Sequence, residues 1–227
     1  KYTAQRESAL TWYLAQAQQA PAGLTLAPEI AIVTPTDRWP DALNRVLPAD
    51  LRVVRAARVG SEFHSRFCAQ DRTYVYRVLL DLYDPFRARF AYVSHKPLVI
   101  ERMRDGAARL VGKHDFAAFT AELDPSIENT VRTLRSVDVE SVRDEVRIRI
   151  VGTAFLRGMM RRMAGALCEI GRGIRTPESI DRLLRADEKG HLPVVLPAKG
   201  LTLMRVRYGR HPIDCRNDPN NTASLEA

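Results

Sequence analysis

Three arginines, Arg157, Arg161 and Arg162, stand close together in the stretch FLRGMMRRMAGAL, residues 155–167. At 100° per residue, Leu156, Met159, Met160, Met163, Leu167 and Ile170 fall on one face, which predicts a helix over 155–170 with that face in a core. Gly158 and Gly165 lie nearly opposite, with Ala154 close by. A stripe of small residues lets another backbone or a ligand come near. Arg161 shares that stripe, Arg157 flanks it, and Arg162 points away on the other flank. A guanidinium beside glycines can reach a carboxylate or phosphate across a narrow gap with its fixed fork of donors. A solvated helix face would also carry arginines. It would seldom keep two glycines, each about 1 kcal/mol worse than alanine in a helix.

Such a helix needs a sheet to stand on. RTYVYRVLL, residues 72–80, alternates strictly, with Tyr74, Tyr76, Val78 and Leu80 on one face, and predicts a strand. Residues 133–152 read as a hairpin turning at RDE, and LTLMRVRY, residues 201–208, as a further strand. LRVVRAARV, residues 51–59, reads as a strand, and so do LTL and IAIVT around residues 24–34. Helices are predicted at 4–19, 39–48, 100–111 and 177–186. DPF, residues 84–86, turns the chain, and the polar stretch after Pro212 reads as loose. Strands and helices mix without strict βα alternation, which predicts an α+β fold with a largely antiparallel sheet.

The formal charge of +8 over 227 residues favours a polyanionic partner, most often nucleic acid. A basic enzyme whose charge serves only solubility is the alternative. No apolar run approaches the roughly 20 residues of a membrane span, so no membrane partner is expected. The chain opens on Lys1 without a signal-peptide pattern, which reads as a processed chain or a fragment. Cys68, Cys168 and Cys215 are far apart and form no CxxC pair. That argues against a zinc site or a disulfide framework and fits a reducing, intracellular compartment, cytoplasm or mitochondrion.

Several stretches together resemble the TruA-type family of tRNA pseudouridine synthases. FHSRFCAQDRTYVYRV, residues 63–78, is similar to the family's FHARF…RxYxY segment. ALNRVLPADLRV (42–53), LVGKHDFAAF (110–119), TVRTL (130–134), GTAFLRGMMRRMAGAL (152–167) and LPAKGLTLMRVRY (196–208) follow in family order. The resemblance implies a pseudouridine-synthase fold of two pseudo-related α/β halves around a basic RNA-binding cleft. The halves are expected at 1–95, abbreviated, and 96–212, with a polar tail at 213–227. It implies that Tyr74 stacks on the target uridine and that Arg161 pairs with the catalytic aspartate. His64, Arg66, Arg72, Arg157 and Arg162 are the expected RNA-binding residues. No metal and no cofactor are expected.

One departure decides the functional expectation. The family carries its nucleophilic aspartate in an RTD motif between the first helix and the ALN element, and this sequence has no RTD. Glu29 is the nearest acid in sequence. A carboxylate that attacks one carbon must be placed within fractions of an ångström, so Glu29 would substitute poorly. The expectation is an RNA-binding protein without catalysis, a pseudoenzyme on tRNA or ribosomal RNA, as an assembly factor or ribonucleoprotein component. Ribosomal or assembly proteins and a second copy of the chain are the further partners considered. The alternative is an active uridine-to-pseudouridine isomerase whose aspartate loop is missing from this chain. Arg161 would then meet an RNA phosphate, or a replacement acid such as Glu29, in the first case and the catalytic aspartate in the second.

Overall fold

The computed structural model describes residues 36–57, 59, 63, 65, 67–80, 84–120, 129–185 and 192–208. The expected helix at 4–19, the short strands near 24–34, Glu29, His64, Arg66, Cys215 and the tail lie outside the described residues. The chain divides into two compact units, one reaching to Ser61 and the other running from Glu62 to His211, each with a short tail segment.

In the first unit, α1 spans Trp39–Asn44, with Pro40 in its first turn where a missing N–H costs nothing. Residues 51–57 take no regular structure, so the strand expected over 51–59 is corrected. The reason is local. The Asn44 side-chain amide donates to the Val53 carbonyl at 2.8 Å and accepts from the Val53 N–H at 2.7 Å. One side chain thereby satisfies backbone groups that a neighbouring strand would otherwise have to pair.

The second unit is built on a six-stranded sheet. Its strands are β1 (Ala69–Leu79), β2 (Tyr92–Val93), β3 (Gly112–Asp115), β4 (Val131–Val142), β5 (Glu145–Gly152) and β6 (Leu201–Tyr208). The order is β2-β1-β5-β4-β3, and β6 also pairs with β1. Only β1 and β2 run parallel. The alternation in β1 places Tyr76 and Val78 at 0% exposure beside Val146, Ile148 and Ile150 of β5. Two helices cover that face, α2 (Ile100–Leu110) and α3 (Met159–Gly171), and α4 (Ser179–Leu184) follows. The apolar side of α3, from Met159 to Ile170, is buried in the same core. This is the α+β architecture, with the mostly antiparallel sheet, that the periodicities predict.

Helix α3 begins at Met159, later than the expected start at Phe155. Gly158 takes φ 76°, a left-handed conformation that breaks helical continuity and that glycine adopts without strain. The expected helix over 177–186 likewise shortens to Ser179–Leu184.

Departures from regular pairing gather at one end of the sheet. Between β1 and β6 the register shifts between Ala69 and Asp71 and again between Thr73 and Tyr74. Between β4 and β5 it shifts between Leu134 and Ser136, beside Gly152. Bulges bend strands and re-aim side chains, and they concentrate next to sites. Arg72 and Gly152 are register partners there, so this end holds the start of β1 and the chain that leads into α3.

Candidate functional site

Tyr74 sits at this irregular end, half-buried. Its ring meets Phe155 edge to face, with centroids 5.0 Å apart and planes at 80°. Edge-to-face packing matches the positive edge of one ring to the negative face of the other. Burial raises the Tyr74 phenol above its usual range, partly offset by Arg72, so the hydroxyl stays protonated.

Phe155 is held in place from two directions. A Cβ on Gly152 would lie 2.9 Å from the Phe155 ring and 2.7 Å from Leu134, so only glycine leaves room for that ring. Arg72 donates through one Nη to the Thr153 carbonyl at 2.5 Å and to the Ala69 carbonyl at 3.0 Å. A guanidinium thus ties the start of β1 to the loop carrying Phe155. The Thr120 hydroxyl donates to the Arg157 carbonyl at 3.1 Å, fixing the other end of the loop. The Arg157 side chain itself is exposed.

The small-residue stripe on α3 is filled by protein. A Cβ on Gly165 would lie 1.9 Å from the Val194 carbonyl oxygen, so residues 193–197 cross the helix in backbone contact. Arg162 donates to the Pro193 carbonyl at 3.1 Å, and Arg161 donates through Nε to the Leu196 carbonyl at 2.6 Å. The Leu196 N–H returns a bond to the Arg161 carbonyl at 3.3 Å, and the Tyr76 hydroxyl donates to the Pro197 carbonyl at 2.7 Å. Prolines at 193 and 197 lack N–H groups and hold their predecessors extended, which leaves the carbonyls of this strap as acceptors. The Tyr76 phenol is pushed far up by burial in this arrangement.

Arg161 and Arg162 therefore part company. Arg161 is half-buried, spends its Nε on Leu196, and among the described residues pairs with no carboxylate. Arg162 is 9% exposed, its Nε has no hydrogen-bond partner, and desolvation lowers its pKa. Arg162, expected on the flank away from the stripe as an RNA-binding residue, is buried: on a helix overlain by the strap, that flank faces protein.

The structure thus brings Tyr74, Arg72 and the loop before Arg157 to one end of the sheet. Two elements of this arrangement escaped the sequence reading. The strap at 193–197 was visible only as two prolines in LPVVLP, and Phe155 read as the first turn of a helix. Among the described residues no group of three or more His, Cys, Asp or Glu gathers to hold a metal, and no helix is long and apolar enough to cross a membrane.

The mixed α+β fold with its mostly antiparallel sheet is that of a pseudouridine-synthase type of protein. A family model described as tRNA pseudouridine synthase matches residues 107–209. A protein named tRNA pseudouridine synthase A from Halalkalibacterium halodurans is 40% identical over 168 residues, covering 74% of this chain and 64% of its own length. Its namesake from Syntrophotalea carbinolica is 37% identical over 80% of this chain and 71% of its own. That from Bacillus subtilis is 34% identical over 82% and 76%. The chain belongs to the TruA-type tRNA pseudouridine synthase family, and its match to the first of these relatives spans less than two thirds of that relative's length.

Proposed function

We propose that this chain binds structured RNA of the tRNA kind through Tyr74 at the irregular end of the sheet and Arg161 on α3, without itself isomerising uridine. The observation that carries this reading is the state of Arg161. In the family pattern that position pairs with the nucleophilic aspartate; here the guanidinium holds the strap by Nε and has no carboxylate partner among the described residues. The sequence contains no RTD motif to supply one. The terminal nitrogens of Arg161 would then contact phosphate, and Tyr74, kept neutral and fixed by Phe155, would stack on an unpaired base. Arg157, exposed at the loop, would add a phosphate contact. A ribosomal RNA in an assembling particle is a competing target, and a ribosomal RNA fragment run beside tRNA distinguishes the two.

The test combines binding with turnover. With an unmodified tRNA transcript, affinity is expected to fall as salt rises, and Arg161→Ala is expected to weaken binding and flatten that dependence by about one unit of slope. Tritium release from 5-³H-uridine tRNA is expected to stay at the level of the protein-free control. Release above that control establishes instead the second reading, an active isomerase with its carboxylate supplied from outside the described residues. The likeness to proteins named tRNA pseudouridine synthase A favours that second reading. Salt-insensitive binding, or none, together with no release, removes both.

A further inference from the structure

The loop after β1 carries two strongly exposed aromatic side chains. Phe86 is 81% exposed and Phe90 65% exposed, and neither has a ring partner among the described residues. Between them Arg87–Arg89 form one 3₁₀ turn, with Phe86 and Phe90 as its two caps. Exposed phenylalanines are often mobile, but here the backbone beneath them is clamped. Arg87 donates through Nε to Asp84 at 2.5 Å, and through both Nη groups to Asp144 at 2.8 and 2.5 Å. Its backbone N–H bonds Asp84 as well, at 2.8 Å. Lys199, in the 3₁₀ turn Ala198–Gly200 before β6, donates to the Ala88 carbonyl at 2.8 Å.

The charges sort themselves accordingly. Arg87 is consumed by the two aspartates. Arg89, exposed, and the Lys199 ammonium, held against the turn, are the cations left beside the two rings. Two exposed phenyl rings on a clamped backbone, flanked by two cations, match a strand of unpaired nucleotides: bases have π-faces to stack, and phosphates between them accept from Arg and Lys. A protein partner would ask for a wider apolar surface around the rings, since specific interfaces bury on the order of 800 Å² per side. The neighbours of the two rings in sequence, Pro85, Arg87, Arg89 and Ala91, supply little of that.

We infer that the Phe86–Phe90 turn is a second RNA contact, on which unpaired nucleotides stack while Arg89 and Lys199 hold their phosphates. It lies beyond the end of β1 that is far from Tyr74, and Leu79 at that end is about 17 Å from Tyr74 along five residues of strand. One RNA would be held at both ends of that strand. The inference rests on the RNA-binding reading proposed above.

The experiment measures affinity of the 227-residue chain for an unmodified tRNA transcript across a salt series, with oligomeric state followed by sedimentation. Phe86→Ala with Phe90→Ala is expected to weaken binding about tenfold at every salt concentration, leaving the salt slope unchanged, because stacking is not ionic. Phe86→Leu with Phe90→Leu is expected to weaken it as much, because leucine keeps the apolar surface but offers no ring. Arg89→Ala with Lys199→Ala is expected to weaken binding and lower the slope by about two. Both rings are exposed, so thermal unfolding of the phenylalanine variants should match the parent. Parent affinity in the alanine double variant overturns the inference. So does a leucine variant that binds as the parent does, or loss of a dimer with RNA affinity unchanged. If the parent chain itself fails to bind RNA, the reading of the Tyr74 site fails first, and with it the ground of this one.

Discussion

Arg161 and Arg162 are adjacent in the chain, and their opposite surroundings follow from one close approach. The strap at 193–197 lies where Gly165 leaves no side chain, so the guanidinium on one side of it stays half open and the other is enclosed. Gly165→Ala would place a methyl 1.9 Å from a backbone carbonyl, which no side-chain rotation can relieve. A loss of about 1–3 kcal/mol in urea unfolding is expected, with weaker RNA binding as Arg161 loses its anchor at Leu196. Arg162 answers a different question. A buried guanidinium with its Nε unpaired gains little from being charged, and an apolar residue of similar size often serves as well or better. Arg162→Met is therefore expected to unfold at an equal or higher urea concentration and to bind RNA as the parent does. Weaker binding by that variant, with stability unchanged, would place Arg162 in the RNA contact after all.

At the scale of elements, the β4–β5 hairpin turn and the loop after β1 are joined by a single guanidinium. Arg143 at the turn takes φ 57°, left-handed for a non-glycine residue, and the following Asp144 receives both terminal nitrogens of Arg87. The carboxyls of Asp84 and Asp144 are held below their ordinary values, the first by the Arg87 backbone N–H and then its side chain, the second by the Arg87 side chain. A carboxyl depressed in the folded state contributes stability at neutral pH that is lost as pH falls through its folded value. The parent should therefore lose stability below about pH 4, where the unfolded chain takes up protons first. Arg87→Ala should show a shallower loss over the same range, and melting temperatures from pH 2 to 6 read the difference. Solvent reaches both carboxyls, so the slope carries the test. Such long-range ties were not legible in the sequence, since Arg87 and Asp144 are 57 residues apart. The elements they join were. Strict alternation gave β1 and β5, and a 3.6-residue stripe gave the buried side of α3, because burial of one face imposes those periods. The residues at 51–57 misled because alternation cannot reveal that Asn44 would take the place of a neighbouring strand. For the proposed site, the family pattern pointed to Tyr74 and Arg161 as candidates. The strap could not, since only the close approach at Gly165 discloses it.

The molecule as a whole has a core that depends on buried groups staying neutral, and this ties its overall stability to alkaline pH. Cys168 lies on α3 at 0% exposure, and burial pushes its thiol from 9.0 up to about 12. Tyr76, opposite it in the same core, and Tyr74 are both raised above 10.0, again chiefly by burial. All three groups bind a proton more tightly when folded. Their contribution is complete below the unfolded values and is lost as pH climbs toward the folded ones. Unfolding free energy should hold level to about pH 8.5 and then decline, with Cys168 adding a slope of up to about 1.4 kcal/mol per pH unit and the tyrosines joining above pH 10. Cys168→Ala lowers stability at every pH through the atoms removed, so the slope is the quantity to compare. Between pH 9 and 10 the variant's unfolding free energy should fall more gently than the parent's, in urea titrations under reducing conditions. Parallel curves for the two proteins would mean that the thiol ionises in the folded state as readily as in the unfolded one. That cannot hold for a group sealed between α3 and the sheet, so parallel curves would show that the core opens to water at high pH before it unfolds.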